Sequence, residues 1–338
     1  MHAIRLHAFG PAGNLVLDEV EDPAPGPGQV RIAVRAAGVH LLDTALRQGI
    51  RGPAPALPEL PTIPGREAAG VVDAVGAGTP ESRLGRRVVA HLGFAPGGYA
   101  ELAVTDLARV HEIPENLDFA QAVAMIGTGR TTMGILQFAE LGPGSVAVVT
   151  AAAGGIGTLL VQYAKNAGAT VVGLAGGPEK TARVAANGAD LAVDYKDPRW
   201  PEKVRAHLGG DGVPAARSEP GAGKATVVFD GVGGDIAREA VALLGPGGRH
   251  LVFGWSGKGP HDGTPYLVDG VSQQVLGPVM MERAGGANPV RTLELRALAE
   301  AAEGRLVPAV RRFPLAEAAA AHRALESRGT TGKVVLEP

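Results

Sequence analysis

The spacing of apolar residues changes character once along the chain, near Asp118. Before that point, short apolar runs alternate with turns rich in proline and glycine. Closely spaced runs of this kind predict the strands of a compact β-barrel or sandwich. They lie at residues 4–8, 15–20, 30–37, 68–75, 87–91 and 97–104.

Beyond Asp118 the pattern becomes one of alternating strands and helices. Residues 119–140 carry helical spacing that is interrupted around Gly127 and Gly129. The runs that follow predict strands at 145–152, 170–175, 225–230 and 248–254, with helices at 155–168, 179–188 and 236–244. This alternation predicts a parallel sheet covered by helices on both faces. Residues 211–224, rich in glycine and proline, predict a surface insertion whose function is open.

The length of 338 residues favours two domains. A helix at 289–304 and a strand at 332–336 follow the alternating region, so the chain is expected to return to its first domain. We therefore expect a β domain of residues 1–118 and 286–338, and a nucleotide domain of residues 119–285.

Composition narrows the classes of function. A net charge of −2 with scattered basic residues gives no reason to expect nucleic acid or an anionic membrane as partner. The sequence contains no cysteine, which excludes disulfides, thiolate metal sites and cysteine nucleophiles. No apolar stretch is long enough to span a membrane, and no secretory signal is recognisable, so a cytoplasmic protein is expected.

The turn after the strand at 145–152 carries the clearest chemical signal. It reads AAAGGIG over residues 151–157 and leads directly into a helix. A dinucleotide pyrophosphate is stabilised by the N–H groups and the positive dipole end at such a helix start, and small residues allow close approach. Gly157 is expected to let the helix pack tightly on its strand. The residues expected to bind the cofactor here are Ala153, Gly154, Gly155, Ile156 and Gly157.

The end of the next strand predicts which nicotinamide cofactor is used. NAD sites usually place a carboxylate there to bind the ribose 2′-hydroxyl. Here the strand ends in Ala175, Gly176 and Gly177, with Lys180 and Arg183 following. The missing acid and the nearby basic residues predict NADPH, with Lys180 meeting the 2′-phosphate. The alternative is that the two basic residues only form a solvated helix face.

Five segments, in the same order along the chain, resemble the zinc-free quinone oxidoreductase branch of the medium-chain dehydrogenase/reductase superfamily, which includes zeta-crystallin. They are residues 36–43 (AAGVHLLD), 64–72 (PGREAAGVV), 151–157, 229–234 (FDGVGG) and the tail 321–336. The resemblance spans nearly the whole chain. It implies an α/β fold with a GroES-like β-barrel catalytic domain and a Rossmann domain, a doubly wound parallel sheet that binds NADPH.

The resemblance also implies where the cofactor and a partner subunit bind. The active site would lie between the domains, and Tyr195 would line the 2′-phosphate end. Further cofactor contacts would come from Thr131, Gly231, Val232, Phe253 and Gly254. Residues 271–276 fall where the family pairs subunits edge to edge, so a homodimer is implied; the alternative is an interior strand of a monomer.

The chain departs from the zinc-dependent members at all three catalytic ligand positions. These positions hold His40, Arg66 and, near the third, Gly127. One histidine and one guanidinium cannot hold a catalytic zinc ion, so no metal is expected. The quinone branch usually has asparagine where His40 stands, and tyrosines where Ala45 and Arg51 stand, so the substrate pocket is altered.

Without a Lewis acid, hydride transfer to an activated acceptor is the favoured chemistry. The expected substrate is a quinone or an α,β-unsaturated carbonyl compound. His40, positioned by Asp43 or by solvent, is the candidate donor to the developing oxyanion. Arg66 either stabilises that charge or pairs with Glu67 or Asp43. Two alternatives stay open: an enoyl-thioester reductase of a fatty-acid or polyketide pathway, and a non-catalytic NADPH-binding protein.

Overall fold

A computed structural model describes residues 1–51, 54, 56–93, 97–209, 224–254, 256 and 270–338. The chain forms two compact units. The first comprises residues 1–129, 297–303 and 307–338, and the second comprises residues 130–296 and 304–306. The insertion expected at 211–224 lies, except for Lys224, outside the described residues.

The strands and helices have the following bounds. The strands are β1 (His2–Leu6), β2 (Leu15–Glu19), β3 (Gln29–Val39), β4 (Glu67–Val75), β5 (Arg87–His91), β6 (Leu102–Asp106), β7 (Val110–Glu112), β8 (Val146–Val149), β9 (Thr170–Ala175), β10 (Leu191–Asp194), β11 (Ala225–Asp230), β12 (Leu244–Val252), β13 (Ser272–Val275), β14 (Val310–Pro314) and β15 (Lys333–Glu337). The α-helices are α1 (Leu41–Arg47), α2 (Phe119–Ala124), α3 (Arg130–Leu136), α4 (Gly155–Asn166), α5 (Pro178–Ala186), α6 (Trp200–Gly209), α7 (Gly234–Val241), α8 (Pro278–Ala284), α9 (Pro289–Ala302) and α10 (Ala318–Glu326).

The first unit is built on a mainly antiparallel sheet. Its strands follow the order β14-β15-β3-β4-β5-β7, and β6 also pairs with β3. Among the described residues, β14 and β15 are the one parallel pair of this sheet. Along β3, the buried side chains Val30, Ile32 and Val34 alternate with more exposed positions, which is the pattern of a strand with one face on a core. The predicted β-rich first domain is therefore present.

The second unit contains a parallel sheet with the order β10-β9-β8-β11-β12-β13. Numbered from β8, this is the strand order 3-2-1-4-5-6 of a Rossmann sheet, with the change of direction between β8 and β11. All four residues of β8 are buried, as expected of a central strand that is covered on both faces. The predicted α/β fold class is confirmed.

The two compact units divide the chain after Gly129 and again between residues 296 and 307, while the predicted domain boundaries of 118/119 and 285/286 stay a prediction. Helix α2 belongs to the first unit because it packs on β3 and β4. Val123 of α2 lies so close to Gly38 of β3 that a β-carbon on Gly38 would fall 2.8 Å from its Cγ1 atom. Apolar spacing marks α2 as a helix but does not show which core it covers.

Several local assignments differ from the predictions. The strand predicted at residues 97–104 lies at Leu102–Asp106, because Tyr99 and Ala100 instead make isolated backbone contacts with β1. Strand β10 and helix α6 were not predicted. In the described part of the chain, no helix has the length and apolar character needed to cross a membrane.

Candidate active site

A fully buried carboxylate, Glu67, lies at the start of β4 in the first unit. Its Oε2 atom is 2.8 Å from Nζ of Lys333, and its Oε1 atom is 2.6 Å from Nε2 of His40. Burial alone would raise the pKa of Glu67, but its interactions with His40 and Lys333 hold the pKa well below its usual range. Glu67 is therefore a permanent negative charge inside the domain.

His40 stands between β3 and α1, where the chain turns from strand to helix. Its backbone N–H donates to Oδ2 of Asp43 at 2.7 Å, and Asp43 is the third residue of α1. Asp43 thus fixes the backbone of His40 and stabilises the start of the helix. The expectation that Asp43 orients the imidazole itself is corrected, because the ring contacts Glu67 and Lys333.

Arg66 precedes Glu67 but points to a different carboxylate. Its Nε atom lies 3.4 Å from Oδ1 of Asp43, and its side chain is only 12% exposed. Of the two partners considered for Arg66, the structure therefore shows Asp43. This guanidinium also excludes a metal ion from its immediate surroundings by charge repulsion.

Asp43 also accepts a hydrogen bond from a buried tyrosine, which in turn contacts a buried histidine. The Tyr99 hydroxyl donates to Oδ2 of Asp43 at 3.2 Å and lies 3.2 Å from Nε2 of His322. Burial and the charge of Asp43 raise the pKa of Tyr99 well above its usual value, so the hydroxyl keeps its proton. Burial lowers the pKa of His322 to about 4, so the ring is neutral near pH 7. With the tyrosine proton directed at Asp43, the Nε2–H group of His322 donates to the tyrosine oxygen.

Gly127 lies directly against the His40–Glu67 pair. It belongs to a π-helical turn, Met125–Gly129, that joins α2 to α3. A β-carbon at Gly127 would fall 1.5 Å from Oε1 of Glu67 and 3.1 Å from Cε1 of His40. Any side chain at this position would therefore displace the carboxylate. π-Helical turns of this kind often occur at functional sites.

A cavity of about 360 Å³ opens beside Arg66 and Asp43 in the first unit. Its walls are mostly apolar and include Leu46, Ala54 and Leu57. This size lies within the range of small-molecule sites, and the combination of apolar walls with a few polar groups is typical of them.

The candidate cofactor turn has the predicted position between β8 and α4 in the second unit. Helix α4 begins at Gly155, and Gly154 is its N-cap residue. A β-carbon at Gly157 would lie 2.4 Å from the carbonyl oxygen of Ala151, so only glycine permits this approach of helix to turn. The first turn of α4 can therefore present its N–H groups to an anion.

The other residues expected to contact the cofactor follow the carboxyl ends of neighbouring parallel strands. Gly176 and Gly177 follow β9, Tyr195 follows β10, Gly231 and Val232 follow β11, and Phe253 and Gly254 follow β12. Parallel strands end at one edge of the sheet, which is where ligands bind in this type of fold. Thr131 lies in the first turn of α3.

Two contacts shape this edge. A β-carbon at Gly176 would be 2.8 Å from the Tyr195 hydroxyl, and one at Gly231 would be 2.7 Å from the ring of Phe253. Both glycines therefore lie against an aromatic side chain. The ring of Phe253 and the hydroxyl of Tyr195 are thereby held next to the strand ends.

Asp230 holds the turn after β11. Its Oδ1 atom accepts from the N–H groups of Val232 and Gly233, at 2.9 and 3.0 Å, and its Oδ2 atom lies 3.2 Å from Nε2 of His250. Burial would raise the pKa of Asp230, but these hydrogen bonds lower it. The backbone of Gly231 and Val232 is thus rigidly placed.

The two basic residues of α5 differ in their exposure. Arg183 lies 3.4 Å from Glu179, one helical turn earlier, and more than half of its side chain is exposed. It therefore already forms a surface ion pair. Lys180 is partly buried on the same helix, close in sequence to the glycines that end β9.

The predicted site residues form two groups, one in the first unit and one in the second. His40, Asp43 and Arg66 are linked in the first unit, although Asp43 connects the other two through its own carboxylate. Glu67 and Lys333 are central to this group but were predicted only as parts of family-like segments. The signal for them is a charged residue opening an otherwise apolar strand, EAAGVV and KVVL, where a buried charge requires a partner.

The residues present do not fit a zinc ion. Among the described residues, no group of three His, Cys, Asp or Glu side chains is placed to bind a metal. Where His40 and Glu67 come together, the ammonium of Lys333 contacts both. The positive charge of this ammonium would repel a metal ion from the two side chains.

Comparison with known proteins finds full-length similarity. The family model described as "Alcohol dehydrogenase GroES-like domain" matches residues 26–115, and "Zinc-binding dehydrogenase" matches residues 155–284. A quinone oxidoreductase of Pseudomonas aeruginosa is 33% identical, with 99% of both chains covered. A 2-haloacrylate reductase of a Burkholderia species is 32% identical, with 98% of both chains covered. The crystal structure of Escherichia coli quinone oxidoreductase complexed with NADPH superposes with a TM-score of 0.83 at 28% identity, covering 100% of both chains.

Proposed function

Because the chain belongs to the medium-chain dehydrogenase/reductase superfamily, in its quinone oxidoreductase branch, we propose that it transfers hydride from NADPH to a quinone or an α,β-unsaturated carbonyl compound without zinc. The observation that carries the proposal is the buried Glu67–Lys333–His40 cluster, in which the ammonium of Lys333 contacts both other side chains. That the protein is an oxidoreductase follows from the family itself.

The preference for NADPH rests on the end of β9. The strand ends in Ala175 and is followed by two glycines, so no carboxylate is present there to bind a ribose 2′-hydroxyl. Lys180 lies three residues after Gly177, and we assign it to the 2′-phosphate. Arg183 receives no such role because more than half of its side chain is exposed on the helix surface. The NADPH complex of the E. coli relative supports the same assignment.

Chemistry without a metal favours acceptors that are already activated. NADPH, when bound, supplies the hydride. A quinone or an enone accepts it at an electrophilic carbon, and negative charge then develops on the carbonyl oxygen. His40 is the titratable side chain of the cluster with the greatest exposure, so we assign it to that oxygen.

The acceptor class is supported by the relatives and by the cavity. The relatives include quinone oxidoreductases and a 2-haloacrylate reductase, whose names describe a quinone and an activated alkene. The cavity beside Arg66 has apolar walls, and its volume of about 360 Å³ is within the range of small-molecule sites. We propose that Arg66, already held by Asp43, stabilises the developing charge on acceptors that bind there.

A homodimer formed through β13 is part of the proposal. In the described part of the chain, β13 is the last strand of the six-stranded sheet and has a free edge for pairing with a second copy. Val275 of this strand is 43% exposed. Sedimentation velocity at micromolar concentration tests this directly: a single species of one-chain mass would contradict it.

The cofactor assignment is tested with Lys180→Ala. Loss of one charge-assisted hydrogen bond should weaken NADPH binding about tenfold to a hundredfold while leaving the Kd for NADH unchanged. Fluorescence titration with both nucleotides provides the measurement. Lys203→Ala, which removes an exposed lysine paired with Asp197, is the matched control and should bind both nucleotides as the wild type does. Equal weakening toward NADPH and NADH would contradict the role of Lys180.

A further inference from the structure

Lys333 approaches His40 as closely as it approaches Glu67. Its Nζ atom lies 2.9 Å from Nε2 of His40 in hydrogen-bond geometry. Exposure rises along the cluster, from 0% for the Glu67 side chain to 5% for Lys333 and 23% for His40. Lys333 is therefore enclosed, and its only neighbour in this cluster with access to solvent is the imidazole.

The protonation states follow from the donors and acceptors present. An ammonium group has donors only, so Nε2 of His40 must be the acceptor in its contact with Lys333. A neutral imidazole that accepts at Nε2 carries its proton on Nδ1. The Glu67 oxygens lie within ion-pair distance of both groups. The hydrogen bond of Nε2 is that with Lys333.

We propose that Lys333 donates a proton to His40 as His40 donates its own proton to the acceptor, an inference that rests on the proposed reductase function. After hydride transfer, the Nδ1–H bond of His40 breaks and its proton goes to the acceptor oxygen. At the same time an Nζ–H bond of Lys333 breaks and its proton goes to Nε2. The products are the hydroxyl form of the acceptor, a neutral imidazole protonated at Nε2, and a neutral lysine amine.

The cluster is built to tolerate this exchange. When Lys333 becomes neutral, the new Nε2–H group of His40 is 2.6 Å from Oε1 of Glu67, so the buried carboxylate keeps a polar partner. Water then returns a proton to Nδ1, and the proton on Nε2 passes back to Lys333. Lys333 acts on the substrate only through His40.

The other charged groups around the cluster keep fixed roles in this scheme. Asp43 holds the backbone of His40 and pairs with Arg66. His91 lies opposite Glu67 in the register of β4 with β5, and its charge helps to lower the pKa of Glu67.

Lys333→Arg separates proton supply from positive charge. Arginine keeps the cation beside Glu67 but does not lose a proton at any pH used for assay. We expect kcat for NADPH-dependent reduction of a cyclic enone to fall at least about tenfold, as for loss of acid catalysis, with the Kd for NADPH unchanged. His40→Asn should show a similar loss, and the double variant should lose no more than His40→Asn alone. Lys203→Arg is the control and should keep the wild-type kcat.

A second pair of measurements tests the proposal in case the larger side chain of Lys333→Arg disturbs the packing of the cluster. Glu67→Gln combined with Lys333→Met removes both buried charges while keeping their shape, and it should show the same loss of kcat. The ¹⁵N shifts of the His40 ring in the wild-type protein should show the Nδ1–H tautomer. The shifts in the variant that carries Glu67→Gln and Lys333→Met should not show it.

The outcomes distinguish this inference from the proposed function. Wild-type kcat in Lys333→Arg, or an Nε2–H tautomer in the resting protein, would overturn the role of Lys333. A wild-type protein that binds NADPH but reduces no quinone or enone would instead overturn the proposed function, while the ring tautomer would still decide the assignment of Lys333.

Discussion

Substitution of Gly127 by alanine tests the packing of the buried cluster. The new β-carbon would lie 1.5 Å from Oε1 and 2.6 Å from Cδ of Glu67, far inside van der Waals contact. The backbone of the π-helical turn and the strand β4 would both have to yield, or the carboxylate would have to leave its position. The shortest path is rotation of the Glu67 side chain away from His40 and Lys333.

The expected cost follows from that displacement. Moving Glu67 separates a buried anion from the ammonium of Lys333 and from the His40 ring, and breaking a buried pair typically costs about 3–5 kcal/mol. We expect Gly127→Ala to lower the unfolding free energy of the first unit by about this amount. The matched control is Gly142→Ala, since no atom lies within 4 Å of a β-carbon there. That variant should change stability by less than about 1 kcal/mol.

Native-state hydrogen exchange of the amides in β3 and β4 is the suitable assay, because it reports on this unit separately from the other. The decisive comparison repeats Gly127→Ala in a protein that also carries Glu67→Ala and Lys333→Met. With the carboxylate and the ammonium removed, the alanine should cost less than about 1 kcal/mol. The same large cost in both backgrounds would refute the reasoning, because it would show that the clash does not involve Glu67.

Two further predictions concern the buried histidine and the cofactor turn. Burial lowers the pKa of His322 to about 4, while an unfolded chain binds a proton there below about pH 6.5. The contribution of the neutral ring to the unfolding free energy is fully present above pH 6.5 and falls by about 2–3 kcal/mol as the pH drops to 4.5, because only the unfolded chain binds the proton there. Urea unfolding at the two pH values should show that His322→Gln removes this part of the acid destabilisation. An unchanged pH dependence would contradict the assignment. Gly157→Ala would place a β-carbon 2.4 Å from the Ala151 carbonyl oxygen and should weaken NADPH binding at least about tenfold, since overpacking costs about 1–3 kcal/mol. Nucleotide titration checks this, with Gly142→Ala as control, and wild-type affinity would be the contrary result.

Local sequence patterns predicted most of the second unit. Strands β9 and β11 lie at the predicted residues, and helix α4 begins at the predicted Gly155. The reason is physical: buried parallel strands are continuous apolar runs, and glycines mark their turns. Strand β10 and helix α6 lack such contrast, because β10 is only partly buried and α6 begins with Trp200 and Pro201.

The candidate site could be predicted only in part. His40, Asp43 and Arg66 were found from their positions in family-like segments, but their contacts depend on pairing between strands far apart in sequence. Lys333 reaches His40 because β15 pairs with β3, with Val334 opposite Val39. No local pattern near His40 shows that a residue 293 positions later will be its partner.

Transfer of a labelled hydride tests the central claim most directly. Protein treated with a metal chelator is incubated with NADPH that carries deuterium at both hydrogen positions of C4 of the nicotinamide, together with a cyclic enone, and the product is examined by mass spectrometry. The account predicts one deuterium at the β-carbon of the saturated ketone for each NADPH oxidised, at the same rate with or without chelator. A product without deuterium, or a reaction abolished by the chelator and restored by zinc, would contradict it.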